Sequence, residues 1–350
     1  MAGSLILENR EWLLEENEDF SDLPLDIRRM LVAWFDPQVD ELSFMTSGST
    51  GEPKSVRHAK SAMRESAIRT GEALELGRGT RAWWVLPPHF IGGAMMLIRA
   101  IVLEWQLHAG TPQSKLKVPP SGMDFCACTP MQLRSSGGLP GVSKLLLGGS
   151  PVNGPLPLHG IGRVWEGFGM TETISHIALR ELKPIQEEAF QCVRGVAVRE
   201  DEEGCLIVQA PHLTVEEIRT RDQVKCWTSG SFEWLGRQDH VINSGGIKVH
   251  PEQVEKAIHD LIKRPFVVTS RAHAVLGQEV ILVVDPRGGS GDVSSVMGDE
   301  RSERKGWKGE AVKNWLEATR RVLPKHHAPR AVVWMELNQT PTGKWIRPRL

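Results

Sequence analysis

Nine consecutive residues, Thr46-Ser47-Gly48-Ser49-Thr50-Gly51-Glu52-Pro53-Lys54, concentrate chemistry-bearing side chains in this sequence. Gly48 and Gly51 lack a Cβ, so the backbone can turn sharply and aim successive N–H groups at one anion. Thr46, Ser47, Ser49 and Thr50 add hydroxyl donors, and Lys54 adds a mobile cation. Such a set suits a polyphosphate. The G-x-x-x-x-G-K-[ST] loop is excluded, because its glycines stand five positions apart and these stand three apart. A solvated Ser/Gly turn has the same composition, so the stretch takes its meaning from the motifs downstream of it.

Gly167-Phe168-Gly169-Met170-Thr171-Glu172 follows a strand-like run at its carboxyl end, where open α/β sheets bind ligands. Phe168 offers a ring face to a base and Glu172 a carboxylate to Mg²⁺, although a plain G-F-G turn reads the same way. In Thr220-Arg221-Asp222 the carboxylate suits two ribose hydroxyls or an ordinary turn. Gly236-Arg237-Gln238-Asp239, then Ser244-Gly245-Gly246, stand at a change of composition and read as a hinge or as a linker. Near the end, Pro341-Thr342-Gly343-Lys344-Trp345-Ile346-Arg347 gives Lys344 a turn from which to reach out of its own domain, or is a solvated basic tail. His89 and Arg99 bracket the apolar run Phe90–Ile98. A guanidinium there must snorkel, pair or meet an anion, since burying it alone costs several kcal/mol. His89 taken singly reads as a core histidine.

The surrounding pattern supplies elements to position these groups. A helix is expected over Pro24–Phe35, with Leu25, Met30, Leu31 and Trp34 inward, and a strand-like run over Leu42–Met45. Helices over Lys60–Leu76 and near Met95–Trp105 alternate with strands at Arg81–Pro87, Asp124–Thr129, Lys144–Gly148 and Arg163–Phe168. That alternation predicts an α/β sheet covered by helices. After Gly195 short strands take over, such as Cys205–Gln209 and Phe232–Leu235. A second, smaller unit follows Gly236-Arg237. Pro251 opens a helix with Val254, Ile258, Leu261 and Ile262 on one face, ahead of strands at Phe266–Thr269 and Val280–Val284. Pro286–Lys308 reads as a mobile loop, Glu310–Leu323 as a helix with Val312, Trp315, Leu316 and Val322 inward, and Ala331–Leu337 as the last strand.

Composition narrows the class. Lys and Arg number 42 against 43 Asp and Glu, which gives no support to nucleic acid or an anionic membrane as main partner. The N-terminus lacks a basic, then apolar, export signal, and the most apolar window, Ile91–Trp105, is interrupted by Arg99 and Glu104. A cytoplasmic protein without membrane insertion is expected. Its five cysteines form no paired C-x-x-C set, which disfavours a metal site. There is no internal repeat, and homo-oligomerisation stays open.

In their order, the motifs resemble those of the adenylate-forming superfamily of acyl-CoA synthetases, luciferase-like enzymes and peptide-synthetase adenylation domains. Thr46–Lys54 matches the phosphate loop, and Gly167–Glu172 the aromatic-Gly-x-Thr-Glu motif, with Phe168 where Tyr is commoner. Thr220-Arg221-Asp222 resembles the ribose-binding motif, Gly236-Arg237-x-Asp239 the motif opening the C-terminal domain, and Pro341-x-Gly343-Lys344-x-x-Arg347 the one carrying the catalytic lysine. Finer likeness, to o-succinylbenzoate–CoA ligases of menaquinone biosynthesis, rests on stretches such as Leu86–His89, Met95-Met96 with Arg99-Ala100, Leu147-Gly148-Gly149 and Gly169–Ala178. The region ahead of the phosphate loop is shorter than in full-length members.

The resemblance implies an α/β fold: a large N-terminal domain (1–236), a hinge (237–239) and a small mobile α+β lid (240–350). It implies ATP, Mg²⁺ and coenzyme A, with a small carboxylic acid as substrate. Lys344 would be catalytic, with Thr171 and the metal-holding Glu172. Thr46, Ser47, Gly48, Ser49, Thr50, Gly51, Lys54, Gly148, Gly149, Phe168, Gly169, Met170, Asp222 and Arg237 would hold the nucleotide. Asp239 would be the pivot. His89 and Arg99 would meet the acid, and Ser244, Gly245 and Gly246 the coenzyme. The alternatives are a ligase for another aryl or acyl acid, and a nucleotide-binding module without catalysis.

Overall fold

Apolar runs bounded by glycine, proline or polar turns become strands, and runs with apolar residues three and four apart become helices. A computed structural model describes residues 2–45, 54–214, 216–287, 303–340 and 345–350, with side chains of the helix that begins at 303 described from 309. Thr46, Ser47, Gly48, Ser49, Thr50, Gly51 and Lys344 therefore lie outside the described residues. Two compact units divide the chain: Met1–Thr220 with Lys225–Glu233, and Arg221–Val224 with Trp234–Leu350.

The first unit opens on a hairpin, β1 (Ser4–Leu7) with β2 (Arg10–Leu13), before α1 (Leu25–Phe35). A second hairpin pairs β3 (Glu41–Met45) with β4 (Ser55–Ala59), and α2 (Lys60–Leu74) follows directly. Next come β5 (Arg81–Trp84), α3 (Ile91–Val102), β6 (Gln106–Ala109), β7 (Met123–Cys128), α4 (Pro130–Ser135), β8 (Val142–Leu147) and β9 (Arg163–Met170). The run ends with β10 (Ser175–Lys183), β11 (Phe190–Cys192), β12 (Ala197–Glu200) and β13 (Cys205–Gln209), and β14 (Ile218–Thr228) and β15 (Ser231–Arg237) each have residues in both units. Thirteen strands make one sheet in the order β12-β13-β14-β15-β11-β10-β9-β8-β7-β5-β6-β1-β2.

From β9 to β1 the pairing is parallel throughout. Parallel strands need cover on both faces, and their sequences show it. Cys126, Cys128, Leu145, Leu147 and Val164 are buried in one cluster. Another gathers Trp34 of α1, Met63 and Ala67 of α2, and Met95 and Ile98 of α3 around Phe44 and Ile174. The short α4 holds its start with a capping box: Gln132 N donates to Thr129 Oγ1 at 3.1 Å, and Thr129 N to Gln132 Oε1 at 2.9 Å.

The second unit contains β16 (Ile242–Ser244), β17 (Ile247–Val249), α5 (Pro251–Ile258), β18 (Phe266–His273), β19 (Gly277–Val284), α6 (Glu303–Val322) and β20 (Ala331–Trp334). Its sheet runs β17-β16-β19-β18, with β20 parallel beside β19. Val254 and Ile258 of α5 pack on Val268, Val280 and Leu282, and Trp315 of α6 meets Trp334 at 5.6 Å between ring centroids.

Several sequence expectations are corrected. Leu25 is 50% exposed, and Ile27 takes the inward place on α1. The strand expected to Pro87 stops at Trp84, ahead of two prolines that cannot donate to a ladder. α6 begins at Glu303 inside the expected loop, because Glu303-Arg304-Lys305 are good helix formers; Val322, expected inward, is 54% exposed. The remainder of that expected loop, 288–302, lies outside the described residues. Thr220-Arg221-Asp222 lies within β14 and forms no turn, and Gly167–Met170 complete β9 and do not follow it. Among the described residues no helix is long and apolar enough to cross a membrane.

Candidate active site

Three parallel strands of the first unit deliver candidate residues at their carboxyl ends, the edge where sheets of this kind hold ligands. β8 gives way to Gly148-Gly149, with Gly149 at φ +82° and Gly148 N donating to Cys128 O at 3.1 Å. The turn beyond is tied to the neighbouring strand. Val152 N donates to Glu166 Oε1 at 2.9 Å, and Glu166, buried on β9, forms an ion pair with Arg180 of β10. His89 follows β5, exposed, with its ring 4.3 Å from that of Phe90.

β9 ends at Met170, and a single 3-10 turn, Thr171–Thr173, presents Glu172 to solvent. Thr173 ties the turn down: its Oγ1 accepts from Met170 N at 2.9 Å and donates to Ser175 O at 2.8 Å. The chain then passes through two left-handed residues, Ile174 at φ +50° and Ser175 at +79°. A β-branched residue in that region is a rare, strained choice of the kind that gathers at functional sites. Gly169 is required here, because a Cβ would overlap the Ser175 carbonyl and His176 Cα. Phe168 sets its ring edge on Phe232 at 5.0 Å and lies 5.6 Å from Phe190.

His58 of β4 binds this turn, its Nε2–H donating to Thr171 O at 2.7 Å. Burial lowers the His58 pKa, and the Thr171 carbonyl and Glu172 oppose that only in part, so the ring is a neutral donor near pH 7. β3 and β4 are the two strands joined by residues 46–54, and they pair from Met45–Ser55 onward. Lys54 stands exposed immediately before β4. Thus the hairpin that carries the glycine-rich sequence is fastened to the Thr171-Glu172 turn.

Arg99 occupies the inner face of α3, 1% exposed. Its Nε donates to Thr70 Oγ1 at 3.1 Å and an Nη to Ser175 Oγ at 3.3 Å, so the charge rests against hydroxyls. Burial pulls its pKa down to about 9. His176, 3.3 Å from the same Thr70 oxygen, is held neutral with its pKa lowered to about 3, first by burial and then by Arg99; its Nδ1 has no partner among the described residues. A cation this deep with only neutral partners is suited to an anion brought by a ligand.

The second unit holds the remaining candidates. Asp222, buried on β14, accepts from Trp234 Nε1 at 3.0 Å. Asp239 is gripped by Arg237 at 2.9 Å and Arg221 at 2.8 Å, which together outweigh burial and lower its pKa. Gly245 (φ +61°) and Gly246 (φ +82°) close the β16–β17 hairpin, whose last pair is Ser244 with Ile247; two successive positive φ values favour glycine there. Within the first unit, therefore, Gly148, Gly149, Phe168, Gly169, Met170, Thr171 and Glu172 come together at the sheet's carboxyl edge, with Arg99 on the helix behind Ser175. Within the second, Asp222, Arg237 and Asp239 follow one another along the strands and turn before β16. Nothing local in the sequence marks His58, Glu166 or Arg180, because their role lies in partners distant along the chain; Arg221 lies inside the Thr220-Arg221-Asp222 motif, but its ion pair with Asp239 is not legible there.

Among the described residues no group of three His, Cys, Asp or Glu could cage a metal ion. Glu172 is exposed and has no ion pair among them. A lone free carboxylate fits Mg²⁺ held chiefly by substrate phosphates and water, not a dedicated protein cage.

Residues 8–203, more than half of the chain, match the AMP-binding enzyme family. The chain is 28% identical to the 2-succinylbenzoate–CoA ligase of Salmonella typhimurium over 295 residues, covering 75% of this chain and 62% of that protein. The probable 2-succinylbenzoate–CoA ligase of Mycobacterium tuberculosis is 27% identical, covering 71% of this chain and 72% of its own length. A 133-residue stretch is 35% identical to a probable non-canonical nonribosomal peptide synthetase of Salinispora arenicola, of which it spans 2%. Among solved structures, an acyl-CoA synthetase (AMP-forming)/AMP-acid ligase II-like protein from Dyadobacter fermentans superposes with a TM-score of 0.56 at 29% identity, over 91% of each chain. The o-succinylbenzoate coenzyme A synthetase of Bacillus subtilis, solved with ATP and magnesium ion, gives 0.68 at 18% identity over 87% of this chain and 68% of that one. On the extent of the sequence match and the α/β architecture it shares with these structures, the chain belongs to the AMP-binding enzyme family.

Proposed function

We propose that the protein is an ATP-dependent acid–CoA ligase acting through an acyl-adenylate, with o-succinylbenzoate as its acid. The observation that carries the reading is the His58–Thr171 bond, which fastens the hairpin bearing the Thr46–Lys54 sequence to the turn bearing Glu172. A phosphate-binding sequence and a free carboxylate are thereby held in one unit.

In the first step a substrate carboxylate oxygen attacks the α-phosphorus of ATP and the bond to pyrophosphate breaks. Two anions must meet, so positive charge has to be supplied where the phosphorus becomes five-coordinate. Lys344 is assigned that charge. The 46–51 backbone and Lys54 hold the departing pyrophosphate, and bound Mg²⁺, held by Glu172 directly or through water, would neutralise phosphate charge. Phe168 flanks the adenine, beside Gly148-Gly149 and Gly169-Met170. Asp222 and Arg237 take the ribose.

In the second step the thiol sulfur of coenzyme A attacks the acyl carbon and AMP leaves. The small domain, 240–350, turns about Asp239 between steps so that Ser244-Gly245-Gly246 lines the thiol's path. His89 belongs to the wall of the acyl pocket. The choice of a dicarboxylic acid rests on Arg99, whose buried charge lacks a carboxylate partner among the described residues. A monocarboxylic aryl acid has no use for that cation. Acid-dependent release of AMP and pyrophosphate, with and without coenzyme A, across o-succinylbenzoate, benzoate and a fatty acid tests both levels. No release with any acid refutes the ligase, and equal kcat/KM for benzoate and o-succinylbenzoate refutes the substrate.

A further inference from the structure

Arg347 enters the interior of the second unit, its side chain 14% exposed, and meets two glutamates of α5. Nη2 donates to Glu255 Oε2 at 2.9 Å and Glu252 Oε1 at 3.0 Å, and Nη1 to Glu255 Oε1 and the Val268 carbonyl. Glu255 alone thus engages both terminal nitrogens, and burial raises its pKa. A second buried carboxylate is surplus to that pairing and costs desolvation. Glu252 nevertheless stands there with its pKa lowered: burial works against this, and His240 and Arg347 outweigh it. Its Oε1 lies 2.6 Å from His240 Nδ1. Its Oε2 has no hydrogen-bond partner among the described residues and faces Gly236, where a Cβ would overlap it. One side chain therefore touches Gly236 and His240, on either side of Asp239, and also the C-terminal segment. That segment is fixed further by Ile346 N donating to Asn338 O at 2.9 Å and Thr269 Oγ1 to Pro348 O at 3.0 Å.

We propose that Glu252 is a positioning residue: through Arg347 it seats the segment that follows Lys344, and through His240 and Gly236 it keys that segment to the turn around Asp239. The proposal rests on the assignment of Lys344 to adenylation. Glu252→Gln keeps the shape and removes the charge. It should lower acid-dependent ATP–pyrophosphate exchange about 10–100-fold with KM for ATP little changed, while thioester formation from supplied acyl-adenylate stays within about threefold. Amide hydrogen exchange over 345–350 should quicken at least about tenfold, a change of local opening that activity alone does not report. Equal loss in both half-reactions, no loss in either, or unchanged exchange over 345–350 would overturn the proposal. Should Glu252→Gln fail to fold, Gly236→Ala displaces the same carboxylate without removing it and must give the same split. Wild-type protein that releases no pyrophosphate with any acid overturns the ligase reading instead, while the exchange measurement still reports the tie to the C-terminal segment.

Discussion

Replacing Arg99 by methionine separates a cation kept for a ligand from one kept for the fold. The guanidinium is 1% exposed, and its hydrogen bonds to Thr70 and Ser175 end on hydroxyls. Burial takes its pKa from the ordinary guanidinium range down to about 9. At about 1.36 kcal/mol per pKa unit this is a penalty of about 5 kcal/mol, present in full below pH 9 and relieved as the pH rises through the folded and towards the unfolded value. Methionine fills a similar channel without the charge. Thr70 Oγ1 keeps its bond to Ser66 O at 3.0 Å, so only about 2 kcal/mol of hydrogen bonding is forfeited. The ligand-free variant should be more stable by about 1–3 kcal/mol, in the range seen when hydrophobes replace buried charges. Urea unfolding at pH 7.5 measures this. In the same variant KM for o-succinylbenzoate should rise about 100-fold, the loss of one buried charge pair, while that for benzoate moves little. A variant destabilised by more than about 1 kcal/mol, with both acids impaired alike, would refute the reasoning and make Arg99 a structural residue.

Three further outcomes are expected. Lys344→Ala should cut pyrophosphate exchange by orders of magnitude and spare thioester formation from supplied acyl-adenylate; parallel loss in rapid-quench assays of the two steps would count against its role. Because the folded His176 titrates at about 3 and the unfolded ring near 6.5, the unfolded chain takes up its proton first on acidification. Stability should therefore fall by about 1.36 kcal/mol per pH unit from 6.5 towards 3, about 3 kcal/mol by pH 4.5, and His176→Gln should flatten that slope in urea titrations. Gly169→Ala should cost at least about 3 kcal/mol by the same unfolding assay, since its Cβ would displace the Ser175 carbonyl and the paired β10 backbone; a variant of wild-type stability would mean that the turn can shift.

Periodicity makes the helices and the parallel strands legible, since burial on both faces writes near-continuous apolar runs such as Phe125-Cys126-Ala127-Cys128 and Leu145-Leu146-Leu147. α2 and β13 carry nearly the expected bounds, Lys60–Leu74 and Cys205–Gln209. The hairpin at Ser4–Leu13 is not legible, because it lies in an acidic stretch at a sheet edge, where one face and one row of backbone groups meet solvent. Asp222 reads as a turn former on local propensity, and its burial against Trp234 overrides that preference. Gly-rich motifs are visible because their spacing is local. His58, Glu166 and Arg180 act through folded-state partners, and no window of sequence contains both His58 and Thr171.

β1 pairs in parallel with β6, so Leu5 must find Leu107. During vectorial synthesis β1 thus waits through about a hundred residues for its parallel neighbour, longer than the strands β5, β7 and β8 wait for theirs. Until Gln106–Ala109 emerge, the β1–β2 hairpin can form only its own ladder, and an isolated two-stranded ribbon is marginal in water. The nascent chain must therefore carry a bare strand edge through about a hundred residues of elongation, a window in which chaperone capture or pairing with a neighbouring chain competes with native closure.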